Sequence, residues 1–177
     1  LTHSLEVASV GRSLGNNISR KLLEARWGNP DLVTEIGSVV AAACLAHDMG
    51  NPPFGHSGEA AISHYFTNGA GKEFKAQLTE AQWRDFTRFE GNANALRILT
   101  HAFKGRRHGG FAMTYTTVAS ILKYPYASNE GLKKYGYFQS EKNIFKHIAD
   151  ELQLKAHDIE KGIYARHPLV YLVEAAD

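Results

Sequence analysis

A histidine followed directly by an aspartate, His47 and Asp48, ends an eight-residue apolar run, and this pairing constrains the fold of the chain more than any other feature. The run covers residues 39–46 and predicts a helix that is buried on most of its surface. A buried carboxylate is costly unless a cation, a partner charge or water compensates it. We therefore expect this helix to end at a polar site within an apolar core.

A second ionisable side chain, His3, stands on a helical pattern near the first residue. It precedes Val7, Val10 and Leu14 at intervals of four, three and four residues. These intervals place the imidazole on the same helix face as an apolar stripe. Taken alone, such a histidine is more often a hydrogen-bonded core residue than a metal ligand.

Asp177 repeats this arrangement, since it follows Val170 and Val173 at intervals of seven and four residues. A lone aspartate could be a solvated helix end, but three segments now each carry an ionisable group along an apolar face. Imidazole nitrogens and carboxylate oxygens are ligands for zinc, manganese, iron and magnesium. The joint pattern favours a metal site in a core of converging helices.

The composition is that of a globular domain rather than of a membrane-spanning or nucleic-acid-binding chain. The 177 residues are 44% apolar and 21% charged, and the apolar runs are shorter than the roughly 20 residues of a membrane span. Twenty basic and eighteen acidic side chains leave a net charge of +2, which does not support nucleic-acid binding. The single cysteine, Cys44, is expected to be a small core residue, and we expect a cytoplasmic protein.

Hydrophobic periodicity and end signals predict helices joined by loops, without a convincing run of strands. Thr79 with Gln82 forms a capping-box pattern, and Ser140 is a candidate cap for the helix that follows it. The fold class predicted is all-α. The predicted helices cover residues 2–24, 30–48, 56–66, 79–89, 92–103, 114–122, 141–152 and 168–177.

The residues that follow Asp48 predict a second chemical site. Residues 50–55 contain two glycines and two prolines, which are turn formers, and force a rigid reversal before the next helix. His56 and Glu59 then stand three residues apart, a spacing at which a carboxylate can orient an imidazole that moves protons near neutral pH. The alternative is that His56 is a helix cap and that Glu59 complements the helix dipole.

Five blocks of sequence occur in one order along nearly the whole chain. They are LTHSLEV (1–7), LAHDMGNPPFGHSGE (45–59), FEGNA (89–93), LKYP (122–125) and VEAAD (173–177). In this order they resemble the deoxyguanosine triphosphate triphosphohydrolases of the HD-domain superfamily. The resemblance implies an HD-domain helical bundle with a metal site between helices.

The resemblance also implies a set of ligands and a cofactor. The superfamily signature falls on His3, His47, Asp48 and Asp177, which would bind one divalent metal ion. Manganese, magnesium, iron and zinc all suit this donor set. The ion would polarise the α-phosphate of a nucleotide.

Residue roles and a reaction follow from the same resemblance. His56 and Glu59 are the implied catalytic pair, and Lys123, Tyr124 and Asn92 are the implied substrate-binding residues. The implied reaction is hydrolysis of a deoxynucleoside triphosphate to a deoxynucleoside and inorganic triphosphate. Whether the metal or the histidine activates the attacking water is left open.

Two other functions remain as alternatives. One is another HD-superfamily phosphohydrolase that acts on a nucleotide monophosphate, a cyclic nucleotide or an alarmone. The other is a non-catalytic nucleotide-sensing module with a structural metal. The basic loop at residues 104–110 is expected to be solvated rather than a nucleic-acid site.

The expected organisation is a single HD domain over residues 1–177 that is a piece of a longer protein. The chain lacks an initiating methionine and stops on a predicted ligand, which favours a piece of a longer chain, and the family resemblance implies further substrate-contacting helices beyond it. The family resemblance implies a homo-oligomer for the full-length protein. No membrane partner is expected.

Overall fold

The computed structural model of the chain describes residues 2–105, 109–128 and 132–177 and contains two compact units. The first unit comprises residues 1–47, 113–122 and 166–177, and the second comprises residues 48–112 and 123–165. The prediction of a single domain stays a prediction.

Helices dominate both units, which confirms the all-α prediction. No helix in the described ranges is long and apolar enough to cross a membrane. Two short 3₁₀ helices cover Ala70–Gln77 and Gln139–Glu141. The α-helices are α1 (Thr2–Glu24), α2 (Pro30–Val33), α3 (Ile36–Ala46), α4 (His56–Asn68), α5 (Glu80–Thr87), α6 (Gly91–Thr100), α7 (Tyr115–Ala119), α8 (Lys142–Glu151) and α9 (Val170–Ala176).

In the first unit, α1 packs against α3 through a stripe of small residues. Val7, Gly11, Gly15 and Ser19 are buried at intervals of four residues. A Cβ at Gly15 would lie 2.7 Å from the Cα of Gly37 on α3, so the two backbones approach closely at this point. The predicted stripe was wrong at Val10, which is 47% exposed, because the closest approach of α3 falls on the glycine side of α1.

The predicted helix over residues 30–48 is divided into α2 and α3. The hydroxyl of Ser19 donates to the carbonyl oxygen of Val33 at 2.7 Å, and both residues are buried. That carbonyl would otherwise accept the i to i+4 hydrogen bond of a continuous helix. Gly37 in the first turn of α3 faces α1, where a Cβ would lie 3.2 Å from the carbonyl oxygen of Arg12.

The second unit has its own core of aromatic and aliphatic side chains. The ring of Tyr137 stacks on Phe145 of α8 with centroids 4.3 Å apart, and Tyr135 is 1% exposed. The capping box of Thr79 and Gln82 is confirmed at the start of α5. Ser140 is not the cap of α8, which follows a 3₁₀ turn instead.

A two-stranded antiparallel hairpin in the second unit was not predicted. It pairs β1 (Ala156–Asp158) with β2 (Ile163–Tyr164), in the register Ala156 with Tyr164 and Asp158 with Ile163. Strands of three and two residues are too short to show an alternating pattern in the sequence. The hairpin is small enough to leave the fold class unchanged.

Candidate functional site

The first unit brings together His3, His47 and Asp177 from three different helices or helix ends. The Nε2 atom of His3 lies 3.2 Å from Oδ1 of Asp177, and Nε2 of His47 lies 3.3 Å from the same oxygen. One donor atom from each residue lies within 4.8 Å of the other two. Three of the four predicted ligands thus converge, although His3 and Asp177 are 174 residues apart.

The local fold explains why each of these side chains reaches the cluster. His3 lies on α1, His47 directly follows α3, and Asp177 directly follows α9. Both α1 and α3 pack against α9. Val170 and Val173 on α9 are 0% and 1% exposed, so the predicted apolar face carries the helix end to the cluster.

His47 is held in one orientation by the helix that precedes it. Its Nδ1 atom lies 2.6 Å from the carbonyl oxygen of Cys44, which can only accept a hydrogen bond. Nδ1 therefore carries a proton and donates, and Nε2 faces Asp177. The His47 side chain is only 3% exposed, so the orientation of its ring is fixed within the core.

The donor set fits a divalent metal ion. Two imidazole nitrogens and a carboxylate oxygen are ligands of zinc, manganese and iron sites. Donor atoms about 2.0–2.2 Å from one ion lie roughly 3 Å apart, close to the separations found here. The side chains of His3 and Asp177 are 54% and 31% exposed, so a ligand from solvent can reach the cluster.

Cys44 lies beside this cluster but has the wrong protonation state for a ligand. Burial raises the pKa of its thiol to about 11, and the carboxylate of Asp177 adds to the effect. Metals bind the thiolate rather than the thiol. Cys44 is 0% exposed, and its place as a small core residue is confirmed.

Asp48, the fourth predicted ligand, follows His47 directly and begins the second unit. The side-chain amide of Asn51 donates to Oδ1 of Asp48 at 2.9 Å, and the backbone N–H of Asn51 donates to its carbonyl oxygen at 3.1 Å. These two bonds close a four-residue turn after α3. We did not single out Asn51 from the sequence, although its spacing of three residues from Asp48 allows this bond.

His56 and Glu59 on α4 form the contact expected from their spacing. Nδ1 of His56 lies 2.9 Å from Oε2 of Glu59, and the two side chains are 84% and 14% exposed. The other oxygen of Glu59 accepts the backbone N–H of Gly91 at 2.7 Å. The carboxylate is thus fixed by α6 and presents one oxygen to the imidazole, while the role of Gly91 as a backbone donor had no signal in the sequence.

Asn92, a predicted substrate-binding residue, lies in the first turn of α6. Its side-chain amide donates to Oε1 of Glu90 at 2.6 Å, and Glu90 caps this helix by accepting the backbone N–H of Asn92. The ammonium group of Lys134 lies 3.8 Å from the same oxygen of Glu90. Glu90 is 4% exposed, so this buried carboxylate fixes the orientation of the asparagine.

Lys123 and Tyr124, the other two predicted substrate-binding residues, open the second segment of the second unit. Both side chains are half-buried, and the ring of Tyr124 lies edge-on to Tyr126 with centroids 6.2 Å apart. The following residue, Pro125, is buried, and its carbonyl accepts the N–H of Tyr164. The basic residues 106–108 lie outside the described part of the chain.

Comparisons with known proteins agree with the sequence motifs. A deoxyguanosinetriphosphate triphosphohydrolase-like protein of Pseudomonas aeruginosa is 46% identical over 185 aligned positions, covering 100% of this chain and 41% of that protein. A protein of the same name from Synechocystis is 40% identical and is covered over 43% of its length. A deoxyguanosinetriphosphate triphosphohydrolase of Yersinia enterocolitica is 34% identical and is covered over 40%.

The chain therefore spans about two fifths of the length of these curated relatives. Its similarity to them confirms the resemblance noted in the five sequence blocks. The model of the HD domain matches residues 1–153, which is most of the 177 residues. The chain belongs to the HD-domain family.

Proposed function

We propose that the protein containing this chain hydrolyses deoxynucleoside triphosphates to deoxynucleosides and inorganic triphosphate in a metal-dependent reaction. The observation that carries the proposal is the contact between His56 and Glu59, in which one ring nitrogen is held by a half-buried carboxylate and the rest of the imidazole is exposed. The relatives from Yersinia and Pseudomonas are named for the same reaction class.

The first part of the proposal concerns the metal. His3, His47 and Asp177 would hold one divalent ion, and Asp48 is the further ligand that the HD signature adds. The ion supplies charge neutralisation and polarisation at the phosphate that is attacked. Manganese, magnesium, iron and zinc all match these donors.

The second part concerns the proton. In the reaction, the oxygen of water bonds to the α-phosphorus, the bond from that phosphorus to the sugar oxygen breaks, and the sugar oxygen receives a proton. Because Nδ1 of His56 faces Glu59, Nε2 is the atom that takes up or delivers this proton. Glu59 holds the ring in the orientation that exposes Nε2.

The third part concerns substrate binding. The ammonium group of Lys123 is suited to the negative charge of a phosphate chain, and the hydroxyl of Tyr124 and the amide of Asn92 can hydrogen-bond phosphate or sugar oxygens. Glu90 already holds the Asn92 side chain in one orientation, so substrate binding does not pay the conformational entropy of ordering it. A homo-oligomeric, cytoplasmic protein is part of the same proposal.

The test uses the full-length protein that contains this chain. It is incubated with each of the four deoxynucleoside triphosphates and with manganese or magnesium, and phosphorus NMR identifies the phosphate product. We expect intact triphosphate. Release of monophosphate or pyrophosphate would contradict the proposal and would favour another HD-superfamily phosphohydrolase.

The variant His56→Gln tests the proton-transfer step. Loss of a general acid or base lowers kcat by roughly 10²- to 10⁴-fold, while the metal affinity should stay unchanged. His64→Gln is the matched control, because His64 is an exposed histidine on the same helix. Equal kcat values for both variants would remove His56 from the mechanism.

A further inference from the structure

Asn51 occupies a position between the predicted metal ligand and the predicted catalytic pair within the second unit. Its side-chain amide donates to the carboxylate of Asp48 at 2.9 Å. Its amide oxygen, on the opposite side, would lie 2.5 Å from a Cβ placed on Gly91. The side chain thus fills the space between Asp48 and the start of α6.

Gly91 supports both groups from the other side. Its backbone N–H donates to Oε1 of Glu59 at 2.7 Å, and a Cβ at this position would lie 2.9 Å from that oxygen. Only a residue without a side chain allows Asn51 and Glu59 to approach the same backbone position. The Asn51 amide and the Glu59 carboxylate therefore both lie against Gly91.

The turn that carries Asp48 and Asn51 is itself held against α6. The amide of Asn94 donates to the carbonyl oxygen of Gly50 at 2.9 Å. A Cβ at Gly50 would collide with the carbonyl oxygen of Gly91. The backbone of the turn that carries Asp48 therefore has little freedom.

We propose that Asn51 is a positioning residue that fixes the carboxylate of Asp48 in the orientation in which it binds the metal, with Gly91 as the support shared with His56 and Glu59. The inference rests on the proposed function, in which Asp48 is a metal ligand. A neutral amide donor orients a carboxylate without cancelling its charge, so the carboxylate keeps its attraction for a cation. Groups that orient metal ligands typically contribute about 10- to 100-fold to metal affinity.

The test compares manganese affinity, measured by isothermal titration calorimetry, for the full-length protein and its variants. Asn51→Ala should weaken manganese binding by about 10- to 100-fold and should recover most of its kcat when manganese is raised to saturation. Asn68→Ala is the matched control, because Asn68 is an exposed asparagine on α4 whose amide contacts His64 and not the turn that carries Asp48. Its manganese affinity should equal that of the unchanged protein.

A purely structural role for Asn51 predicts a different result. In that case Asn51→Ala would lower the melting temperature of the metal-free protein and leave its manganese affinity within twofold, and the inference would be overturned. If Asn51→Ala does not fold, Asn51→Ser, which keeps a shorter donor, replaces it with the same expectation of weakened binding.

Gly91→Ala provides a second, independent measurement. The added methyl group should displace Asn51 and Glu59 together, so both manganese affinity and kcat at saturating manganese should fall. If neither manganese affinity nor kcat falls in Gly91→Ala, Gly91 does not support both Asn51 and Glu59.

The two proposals fail in different ways. Manganese binding that depends on Asn51, in a protein that releases no triphosphate, would leave the inference standing and remove the proposed reaction. If the protein releases triphosphate and Asn51→Ala binds manganese as tightly as the unchanged protein, the proposed reaction stands and the inference about Asn51 is overturned. A full-length protein with no measurable manganese affinity would overturn both.

Discussion

His167, just before α9, is a histidine whose surroundings favour its neutral form. Its Nδ1 atom accepts the backbone N–H of Leu169 at 3.2 Å. Burial lowers the pKa of this imidazole below its ordinary value of 6.5. Protonation would both place a charge in a poorly solvated position and convert the acceptor into a donor.

The lowered pKa of His167 predicts a loss of stability in weak acid. The unfolded chain takes up a proton near pH 6.5 while the folded chain does not, so the contribution of His167 is complete above that pH. The free energy of unfolding should fall as the pH drops from 7 through the lowered pKa of the folded state. Urea denaturation at several pH values measures this dependence.

The variant His167→Asn isolates this contribution. An asparagine can accept the same backbone N–H two residues ahead but does not titrate. The unfolding free energy of the unchanged protein should therefore decline more steeply below pH 6.5 than that of the variant. Identical slopes would show that His167 does not contribute, and His157→Asn, at an exposed histidine, is the control.

At the scale of single residues, the sequence predicted three side chains that converge but not what holds them. The spacing of His3 from Val7, and of Asp177 from Val170 and Val173, placed both on faces that the fold does bring together. The supports of Glu59 and His47 are backbone groups of Gly91 and Cys44. Every residue carries such groups, so residue identity gives no signal for them.

At the scale of elements, the crossing of α1 and α3 depends on the absence of side chains. A Cβ at Gly15 would lie 2.7 Å from the Cα of Gly37 and 3.1 Å from the carbonyl oxygen of Ile36. These atoms are backbone and cannot move aside as a flexible side chain would. The two helices would have to separate to admit a methyl group.

Gly15→Ala should therefore destabilise the protein even though alanine is the better helix former. Overpacking costs about 1–3 kcal/mol, which exceeds the roughly 1 kcal/mol gained in helix propensity. The free energy of unfolding, measured with urea, should decrease by a net amount of up to about 2 kcal/mol. Ser13→Ala on the exposed face of α1 should have little effect, and a stabilised Gly15→Ala protein would contradict the close approach.

The elements were predicted well where the signals are local. The bounds of α1 and the capping box of α5 follow from periodicity and from one cap, both of which lie within a few residues. The division between α2 and α3 arises from Ser19, which is fourteen residues from Val33 in sequence. A tertiary hydrogen bond of this kind overrides the local preference for one continuous helix.

At the scale of the whole molecule, a bound divalent ion should stabilise the fold. An ion that binds only the folded protein adds about 2.7 kcal/mol at a free concentration 100 times its Kd. The three clustered residues lie on or beside α1, α3 and α9, so the ion would oppose the separation of these helices. Differential scanning calorimetry with and without manganese should show a higher melting temperature when the metal is present.

His3→Ala should abolish most of this increase, because the imidazole contributes one of the donor atoms. The exposed residue His157 offers a control, and His157→Ala should respond to manganese as the unchanged protein does. An equal rise in melting temperature for both variants would mean that manganese binds elsewhere.

The separation of His3 and Asp177 along the polypeptide also sets the time at which the cation is captured in a cell. Ribosomes release a polypeptide from its amino end, so His3 and His47 emerge long before Asp177. A growing chain can offer a passing cation two imidazoles but no carboxylate from α9. Loading therefore waits until α9 has left the ribosome, and a shortage of metal would act on chains in which all three residues are already present.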